Sequence, residues 1–341
     1  MNTTLAKKIC EKAKEIGYDK CGIIKIEDIN GFENQLNKRI KLFPESKEDL
    51  NKLKHYAHPE KEFPWAKSII ICAYSINKFE IPEHLNGKIG KYYLVDGRRN
   101  CESEQYQIQK EFQKYLDEIG IKALIGEDHD LTTMRWTACK AGIGIIRKNN
   151  FFYTEDGSYI VLKSWLIDKE LEYKFKSNLE PCPESCSLCI EMCPTSSLLK
   201  DYATNKMTCI SGITCNHENN LMDEPLREQL GEWICGCDIC QDVCPFNQWE
   251  GHAKFPNLED FGKKVSLSKI VEMDYSKLQS IVQNKLWYIP EDKLWKFKVN
   301  ALNSMLNNWQ KKYESSVEIS IKDSNENVKK MGKFVKSIID Y

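Results

Sequence analysis

Ten of the fifteen cysteines lie between Cys182 and Cys244, and their spacing constrains the fold of this chain more than any other feature. Two runs in this stretch have the form C-x2-C-x3-C-P, one ending at Cys193-Pro194 and the other at Cys244-Pro245. Such a run presents its thiolates on a tight loop around a [4Fe–4S] cubane, and in proteins with two cubanes the cysteine before the proline ligates the cluster of the other run. The two runs therefore predict two [4Fe–4S] clusters, each completed by the other run.

The ligands of the two clusters can be assigned from the spacing. Two such clusters need about eight thiolates. The two runs supply six of them, and Cys182, which precedes the first run with an x3 gap, supplies a seventh. Cys209, which lies between the runs, can supply the last. The predicted ligands are Cys182, Cys186, Cys189 and Cys244 for the first cluster, and Cys193, Cys209, Cys237 and Cys240 for the second. Cys215 and Cys235 remain without a role, although Cys235 could replace Cys237 with loss of the usual spacing.

A pair of zinc sites is the alternative, because C-x2-C spacing also suits zinc. The third cysteine of each run and the proline that ends it favour iron–sulfur clusters.

Charge and hydrophobicity narrow the class of protein only in part. The 49 Lys and Arg residues nearly balance the 50 Asp and Glu residues, which argues neither for nor against a polyanionic partner. The N-terminal residues have no apolar segment of the kind a signal peptide needs, and no apolar run has the length of a membrane span. Together with metal-type cysteine spacing, these features predict a cytoplasmic protein without a membrane partner.

The rest of the chain divides into a mixed region before the cysteines and a helical region after them. The predicted helices before the cysteines are residues 4–17, 104–118 and 129–141, and the predicted strands include 21–26, 68–74, 122–125 and a hairpin over 151–162. After residue 258 the predicted helices are 266–273, 275–284, 291–307 and 324–339, with a loop at 310–324. We predict an α+β fold with three parts, at residues 1–178, 179–257 and 258–341.

The cysteine region and its neighbours resemble the epoxyqueuosine reductase family. The members of this family are cobalamin- and iron–sulfur-dependent enzymes of queuosine biosynthesis. The most specific match is the stretch Gly236-Cys-Asp-Ile-Cys-Gln-Asp-Val-Cys-Pro-Phe-Asn247. Cys186–Thr195 and Cys209-Ile-Ser also carry the resemblance, and Ala141–Lys148 and the helical segment from Lys293 are similar to family segments. Weaker matches are Ala66–Ala73 and Ile89–Tyr92. The resemblance implies a nitroreductase-like cobalamin-binding domain, a two-[4Fe–4S] ferredoxin-like domain and a short α-helical C-terminal tail.

The same resemblance implies a reaction and its partners. The implied reaction is the two-electron reduction of epoxyqueuosine in tRNA to queuosine. Electrons would pass from a low-potential donor such as ferredoxin or flavodoxin, through the two clusters, to cobalamin.

The resemblance also implies site residues in the first region. The family's proton-donating carboxylic acid corresponds to Asp128, although a carboxylate at this point could equally cap the helix that follows. The segment Ala141-Gly142-Ile143-Gly144 is implied to lie against cobalamin, because glycines let the backbone approach a flat cofactor. Lys148 could meet a propionamide or phosphate of the cofactor, or be a solvated surface lysine.

Several residues on the substrate side differ from the family pattern. Gln105-Tyr106-Gln107 stands where the family has Asp-Tyr-His, and Arg147 stands where it has the third glycine of the Ala-Gly segment. Tyr106 and Cys101 are implied to lie near the cofactor. These differences leave two alternatives open. One is the same machinery acting on a different small molecule, such as an organohalide, and the other is an electron-transfer protein without a corrinoid. The retained Asp128 favours epoxyqueuosine reduction, since the related dehalogenases use a tyrosine as the acid.

Residues 261–300 combine lysines with Trp287, Tyr288, Trp295 and Phe297. Such a combination could bind RNA phosphates and stack bases. The favoured interpretation is an amphipathic helical region with its aromatic side chains in the core.

Overall fold

The computed structural model describes residues 2–126, 130–200, 202–216 and 221–340. Asp128 therefore lies outside the described residues. Among the described helices, none combines the length and the apolar character that a membrane crossing requires.

The region before the cysteines is built on a four-stranded sheet with helices on both faces. Its elements in chain order are α1 (Asn2–Ile16), β1 (Lys20–Lys25), α2 (Phe32–Leu42), α3 (Lys47–Lys52), α4 (Pro59–Glu62), β2 (Ser68–Ser75), α5 (Lys91–Leu94), α6 (Glu104–Glu118), β3 (Ala123–Ile125), α7 (Met134–Lys140), β4 (Ile145–Ile146), β5 (Phe152–Tyr153) and β6 (Ile160–Ile167). The strand order is β1-β2-β6-β3, and neighbouring strands are antiparallel.

The sheet separates two hydrophobic cores. On one face Ile70 and Trp165 pack with the apolar sides of α1 and α6. On the other face Ile71 and Leu166 pack with α7. Because both faces are covered, β2 and β6 are buried along nearly their whole length. The apolar run at 68–74 is thus confirmed as a buried strand.

The hairpin predicted over residues 151–162 is wrong. Phe152 pairs with Ile146 of β4, and β6 joins the central sheet between β2 and β3. The turn residues are present, with a single bridge between Thr154 and Gly157. The two strands diverge after this bridge, because β6 fills a gap between strands that lie far away in the sequence.

The cysteine region consists of short elements: α8 (Leu188–Glu191), β7 (Leu198–Leu199), β8 (Ala203–Thr204), α9 (Ile210–Cys215), α10 (Glu224–Leu230) and α11 (Ile239–Asp242). Each C-x2-C-x3-C-P run contains one short helix, α8 in the first and α11 in the second, and these two helices are in contact. The mixed fold with a cysteine-rich region predicted from the sequence is therefore observed.

The last region is helical, with α12 (Leu258–Lys264), α13 (Leu267–Glu272), α14 (Tyr275–Val282), α15 (Trp295–Asn307), α16 (Glu314–Ser320) and α17 (Glu326–Ile339). Helix α15 is its centre, since it packs on α13, α17, α9 and α10 and is buried over most of its length. The Asn300 amide donates to the carbonyls of Thr214 and Ile234, at 3.0 and 2.9 Å, and so ties α15 to the cysteine region.

Candidate iron–sulfur and cofactor site

The first group of cysteines surrounds a narrow cavity. Its lining includes Cys182, Cys186, Cys189 and Cys244, together with Arg147. Burial, and after it the charges of the other three cysteines, raises the pKa of the Cys189 thiol to about 11. The structure thus brings Cys244, from the end of the second run, to Cys182, Cys186 and Cys189.

The second group surrounds a larger cavity of about 350 Å³, whose lining includes Cys193, Cys209, Cys237 and Cys240. Burial raises the pKa of the Cys237 thiol, and the nearby Cys209 and Cys193 raise it further. Cys193, from the end of the first run, therefore lies with the cysteines of the second group. In both groups, burial and mutual repulsion oppose four thiolates unless a positively charged centre holds them. This donor set fits an iron–sulfur cluster.

The two remaining cysteines of the region lie beside the second group. Cys215 and Cys235 are buried, with their Sγ atoms 3.6 Å apart. Neither lines the cavity that holds Cys237.

Lys148 positions the loop of the first group. Its Nζ donates to the carbonyl oxygens of Pro183, Glu184 and Cys186 at 2.9, 2.9 and 2.8 Å, and its backbone N–H lies 3.5 Å from Cys182 Sγ. The sequence suggests a cofactor contact or a solvated lysine for Lys148. The solvated lysine is wrong, because the ammonium is buried and bonded to the cysteine loop. The cofactor contact stays a prediction.

The Ala141–Gly144 segment is packed against protein. A Cβ atom on Gly142, whose φ is 72°, would lie 1.8 Å from the Phe175 carbonyl oxygen, and one on Gly144 would lie 2.2 Å from that of Tyr153. Ala141 and Ile143 belong to the core on the α7 side of the sheet. Protein atoms therefore lie on the Cβ side of both glycines, and the contact of this segment with a flat cofactor stays a prediction.

Cys101 and Tyr106 lie at the start of α6, outside the lining of the 350 Å³ cavity. Cys101 is exposed, and its carbonyl accepts from Gln107 Nε2 at 2.6 Å. The neighbouring Gln105 is buried and bridges the Gly97 N–H and the Val95 carbonyl, both at 2.9 Å. The structure does not bring Cys101 or Tyr106 to the cysteines, and the amide that replaces the family's Asp holds the preceding loop.

Helix α7 begins at Met134, after its N-cap Thr133. The helix therefore begins five residues later than the predicted start at residue 129, and the capping alternative for Asp128 lies outside the described residues. The predicted catalytic role of Asp128 falls outside the described residues.

The second cysteine run is fixed to the first region through α5. Asp238 Oδ2 accepts from the Lys91 backbone N–H at 2.7 Å, and Lys91 Nζ lies 2.5 Å from Asp242 Oδ1. The same Asp242 oxygen accepts from the Tyr159 hydroxyl at 2.6 Å. Burial raises the pKa of Asp238 to about 7, and Lys91 opposes the shift.

Three tyrosines form another part of the cavity wall, and the sequence analysis singled out only Tyr288 among them. Tyr92, Tyr93 and Tyr288 line it, and the rings of Tyr93 and Tyr288 meet edge to face at 4.5 Å. The Tyr93 hydroxyl is 2.7 Å from Ser211 Oγ, beside the second group of cysteines. No local pattern brings Tyr92 and Tyr93 together with Tyr288, because these residues come from segments far apart in the sequence.

A buried ion pair holds Tyr288 in this wall. Arg98 Nη2 lies 2.8 Å from Asp96 Oδ2, and it also donates to the Tyr288 hydroxyl at 3.1 Å. The Tyr288 hydroxyl in turn donates to Asp96. Burial alone would raise the pKa of Asp96, but the charge and hydrogen bonds of Arg98 bring it below its usual value. This network joins the loop after α5 to the helical region.

Two cationic residues, Arg135 and Lys206, also line the cavity. Arg135 donates to the Asn150 carbonyl. Arg39 lies near enough for its charge to interact with Arg135, and its Nε and Nη2 atoms are buried without a hydrogen-bond partner in the described structure. Burial, and then Arg135, lowers the pKa of Arg39 to about 10. This part of the wall favours an anionic group.

Comparison with known proteins identifies the cysteine region and the overall fold. Residues 182–247 match the family model described as a 4Fe-4S double cluster binding domain, which favours iron–sulfur clusters over zinc. The epoxyqueuosine reductase of Prochlorococcus marinus is 31% identical over 266 residues, covering 72% of this chain and 78% of that protein.

Solved structures of epoxyqueuosine reductases share the fold. The enzyme from Streptococcus thermophilus aligns with a TM-score of 0.74 at 22% identity, covering 100% of this chain and 91% of the other. An epoxyqueuosine reductase crystallised with an epoxyqueuosine-modified tRNA-Tyr stem loop aligns with a TM-score of 0.68 at 20% identity, covering 99% of each chain.

Proposed function

The chain belongs to the epoxyqueuosine reductase family, and from that premise we propose that it reduces epoxyqueuosine in tRNA to queuosine. The observation that carries the proposal is the grouping of eight cysteines into two sets, one of which opens into a cavity. The reaction adds two electrons and two protons to the epoxide, breaks both C–O bonds, forms the C=C double bond and releases water. The three regions at 1–178, 179–257 and 258–341 are proposed to serve as the nitroreductase-like cobalamin domain, the ferredoxin-like cluster domain and a short helical tail.

The proposed cluster ligands are the two groups of cysteines. Cys182, Cys186, Cys189 and Cys244 would hold the first cluster, and Cys193, Cys209, Cys237 and Cys240 the second. Exchange of Cys193 and Cys244 between the runs brings the clusters close together, which suits transfer of single electrons from one to the other.

The corrinoid is proposed to bind beside the second cluster, where aromatic and cationic residues line the cavity. This cavity borders the second group of cysteines, so an electron leaving the second cluster reaches it directly. Tyr92, Tyr288 and Arg135 would contact the cofactor. When bound, cobalamin supplies a strongly reducing centre to the epoxide carbon. The residues around it fix its position and exclude water.

Two features support an RNA substrate. Arg135 and Lys206 place positive charge along the cavity, where phosphates of an RNA loop would gain electrostatic attraction. Arg99 lies over the Trp287 ring, 4.0 Å from its centroid, and so adds a cation and an aromatic surface near Tyr288. By contrast, Phe297 is completely buried, which supports the core interpretation of α15. An RNA substrate also agrees with the predicted cytoplasmic location.

The external electron donor is proposed to dock beside the first cluster. Leu188 and Phe246, which line the first cavity, are 46% and 39% exposed, and the nearby Met192 is 53% exposed. An apolar rim of this kind suits a transient contact with a ferredoxin or flavodoxin. Electrons would then enter at the first cluster and leave from the second.

Asp128 is proposed to donate a proton as the C–O bonds break. A general acid at neutral pH needs a raised pKa, which a closed site provides by desolvation. The variant Asp128→Asn should therefore bind substrate while losing turnover.

Turnover of a modified RNA tests the proposed function. The protein is reconstituted anaerobically with iron and sulfide, loaded with cobalamin, and given dithionite and an anticodon stem loop that carries epoxyqueuosine. Mass spectrometry should show loss of one oxygen atom from the nucleoside. If protein with full cluster and cobalamin content leaves this RNA unchanged but reduces an organohalide, the proposed substrate is wrong. If it binds no corrinoid, an electron-transfer role replaces the enzymatic one.

A further inference from the structure

We propose that Arg147 is a hydrogen-bond donor to the first [4Fe–4S] cluster and raises its reduction potential. The inference rests on the proposed ligand set of that cluster and goes beyond the proposed reaction. Arg147 lines the same narrow cavity as Cys182, Cys186, Cys189 and Cys244. It is only 2% exposed.

The guanidinium of Arg147 has unused donors. Its Nε and Nη1 atoms are shielded from solvent and have no hydrogen-bond partner within the described parts of the chain. A buried cation without an anionic partner is strongly unfavourable, and buried polar groups are nearly always bonded. The unused donors therefore indicate an anionic partner at the cavity that Arg147 lines.

Aromatic rings hold this guanidinium in place. Its Cζ atom lies 3.6 Å from the centroid of the Phe246 ring and 5.2 Å from that of Tyr153. Phe246 follows Cys244-Pro245, so the stacking ties Arg147 to a proposed ligand of the first cluster. A guanidinium stacked on a ring keeps its N–H groups in its own plane, where they can reach a partner beside the ring.

A cubane held by four thiolates fits the missing partner. It carries net negative charge, which increases when the cluster accepts an electron. Hydrogen bonds and positive charge next to the cluster sulfurs stabilise the reduced form more than the oxidised form, and so raise the potential. The matching segment of the family has glycine at position 147, so this donor distinguishes the present chain from that pattern. With Arg147 present, the first cluster accepts an electron from a low-potential donor more readily.

Arg147→Gln and Arg147→Lys separate charge from packing. Arg147→Gln removes the charge, and Arg147→Lys keeps it on a different geometry. Arg227→Gln is the matched control, because Arg227 is also buried with an unpartnered Nε but lies on α10 and pairs with Glu224 and Glu228. Each protein is reconstituted anaerobically, its iron and sulfide are counted, and its clusters are titrated with dithionite while the EPR signal is recorded.

The expected result is a shift of one midpoint potential to a more negative value in Arg147→Gln, with a smaller shift in Arg147→Lys. The other midpoint, and both midpoints of Arg227→Gln, should stay unchanged. Arg147→Gln could instead lose half its iron while Arg147→Lys keeps full iron content. That result would also support an interaction between the positive charge at position 147 and the first cluster. Unchanged midpoints in Arg147→Gln with full iron content would overturn the inference. Wild-type protein that assembles only one cluster would instead refute the proposed ligand sets.

Discussion

Gly236 lies directly against the ring of Tyr93, so closely that a Cβ atom on Gly236 would be 2.1 Å from a ring carbon. Gly236 precedes the proposed ligand Cys237 and has a φ of 77°. Tyr93 lines the large cavity. The contact therefore joins the cavity wall to the second cysteine run, and it requires glycine at this position for both backbone and space.

Replacing Gly236 by alanine should displace Tyr93 and weaken the second cluster. Gly87→Ala is the matched control, since Gly87 has a φ of 75° and no atom within 4 Å of the new Cβ. Both variants should lose about 1 kcal/mol of unfolding free energy from the left-handed backbone. Gly236→Ala should lose about 1–3 kcal/mol more from overpacking. Urea unfolding measures the difference, and equal losses would mean that the ring contact has no energetic consequence.

Cys193 should behave as a ligand of the second cluster although it belongs to the first run. The EPR spectrum of reduced Cys193→Ala should match that of Cys240→Ala, which removes a ligand of the same group. It should differ from that of Cys189→Ala, which removes a ligand of the same run. A match to Cys189→Ala would show that each run holds its own cluster.

Lys148 should be required for the first cluster alone. Lys148→Met removes three hydrogen bonds to the loop that carries Cys182 and Cys186, so the iron content should fall from about eight to about four atoms per chain. Lys140→Met is the control, because Lys140 lies at the end of α7 and its ammonium contacts only Asn30 and the Trp136 ring in the described structure. Full iron content in Lys148→Met would contradict the positioning role.

Asp96 should stabilise the fold in a pH-dependent way. Its pKa is lowered in the folded protein, so its contribution is fully present above the unfolded value of about 4 and is lost as the pH falls through the lowered folded value. Asp96→Asn leaves Arg98 without its anionic partner and should cost about 3–5 kcal/mol at neutral pH. The variant should also lose less of its remaining stability on acidification.

Unfolding measured across pH values of about 2 to 7 tests this assignment. Glu170→Gln is the control. Glu170 Oε1 lies 2.9 Å from Lys25 Nζ in an exposed ion pair, which should contribute little to the free energy of unfolding. Equal stability of Asp96→Asn and wild type at neutral pH would contradict the assignment of Asp96 as the anchor of Tyr288.

The features predicted well from the sequence are those set by local spacing. The runs that end at Cys193 and Cys244 indicated two clusters, and the family model matches this region as a double cluster domain. The apolar run at Ser68–Tyr74 became a buried strand, since such a run has no polar face to expose. Within the last region, the predicted helix at 324–339 agrees with α17 to within two residues.

Features set by distant contacts were not predicted. Arg98 and Tyr288 are 190 residues apart, so no periodicity connects them. Lys148 looked like a surface residue because its three acceptors are backbone carbonyls, which carry no sequence signal. The polar stretch at 310–324 was expected to be a loop, but Glu314–Ser320 forms α16, because tertiary packing buries Val317 and overrides weak helix propensity.

Queuosine content of cellular tRNA tests the proposed function most directly. The gene is deleted in its host, and tRNA nucleosides are measured by mass spectrometry after complementation with wild type, Asp128→Asn or Cys240→Ala. The proposed function predicts that epoxyqueuosine accumulates in the deletion strain and that only wild type restores queuosine. Unchanged queuosine in the deletion strain, or full restoration by Cys240→Ala, would contradict it.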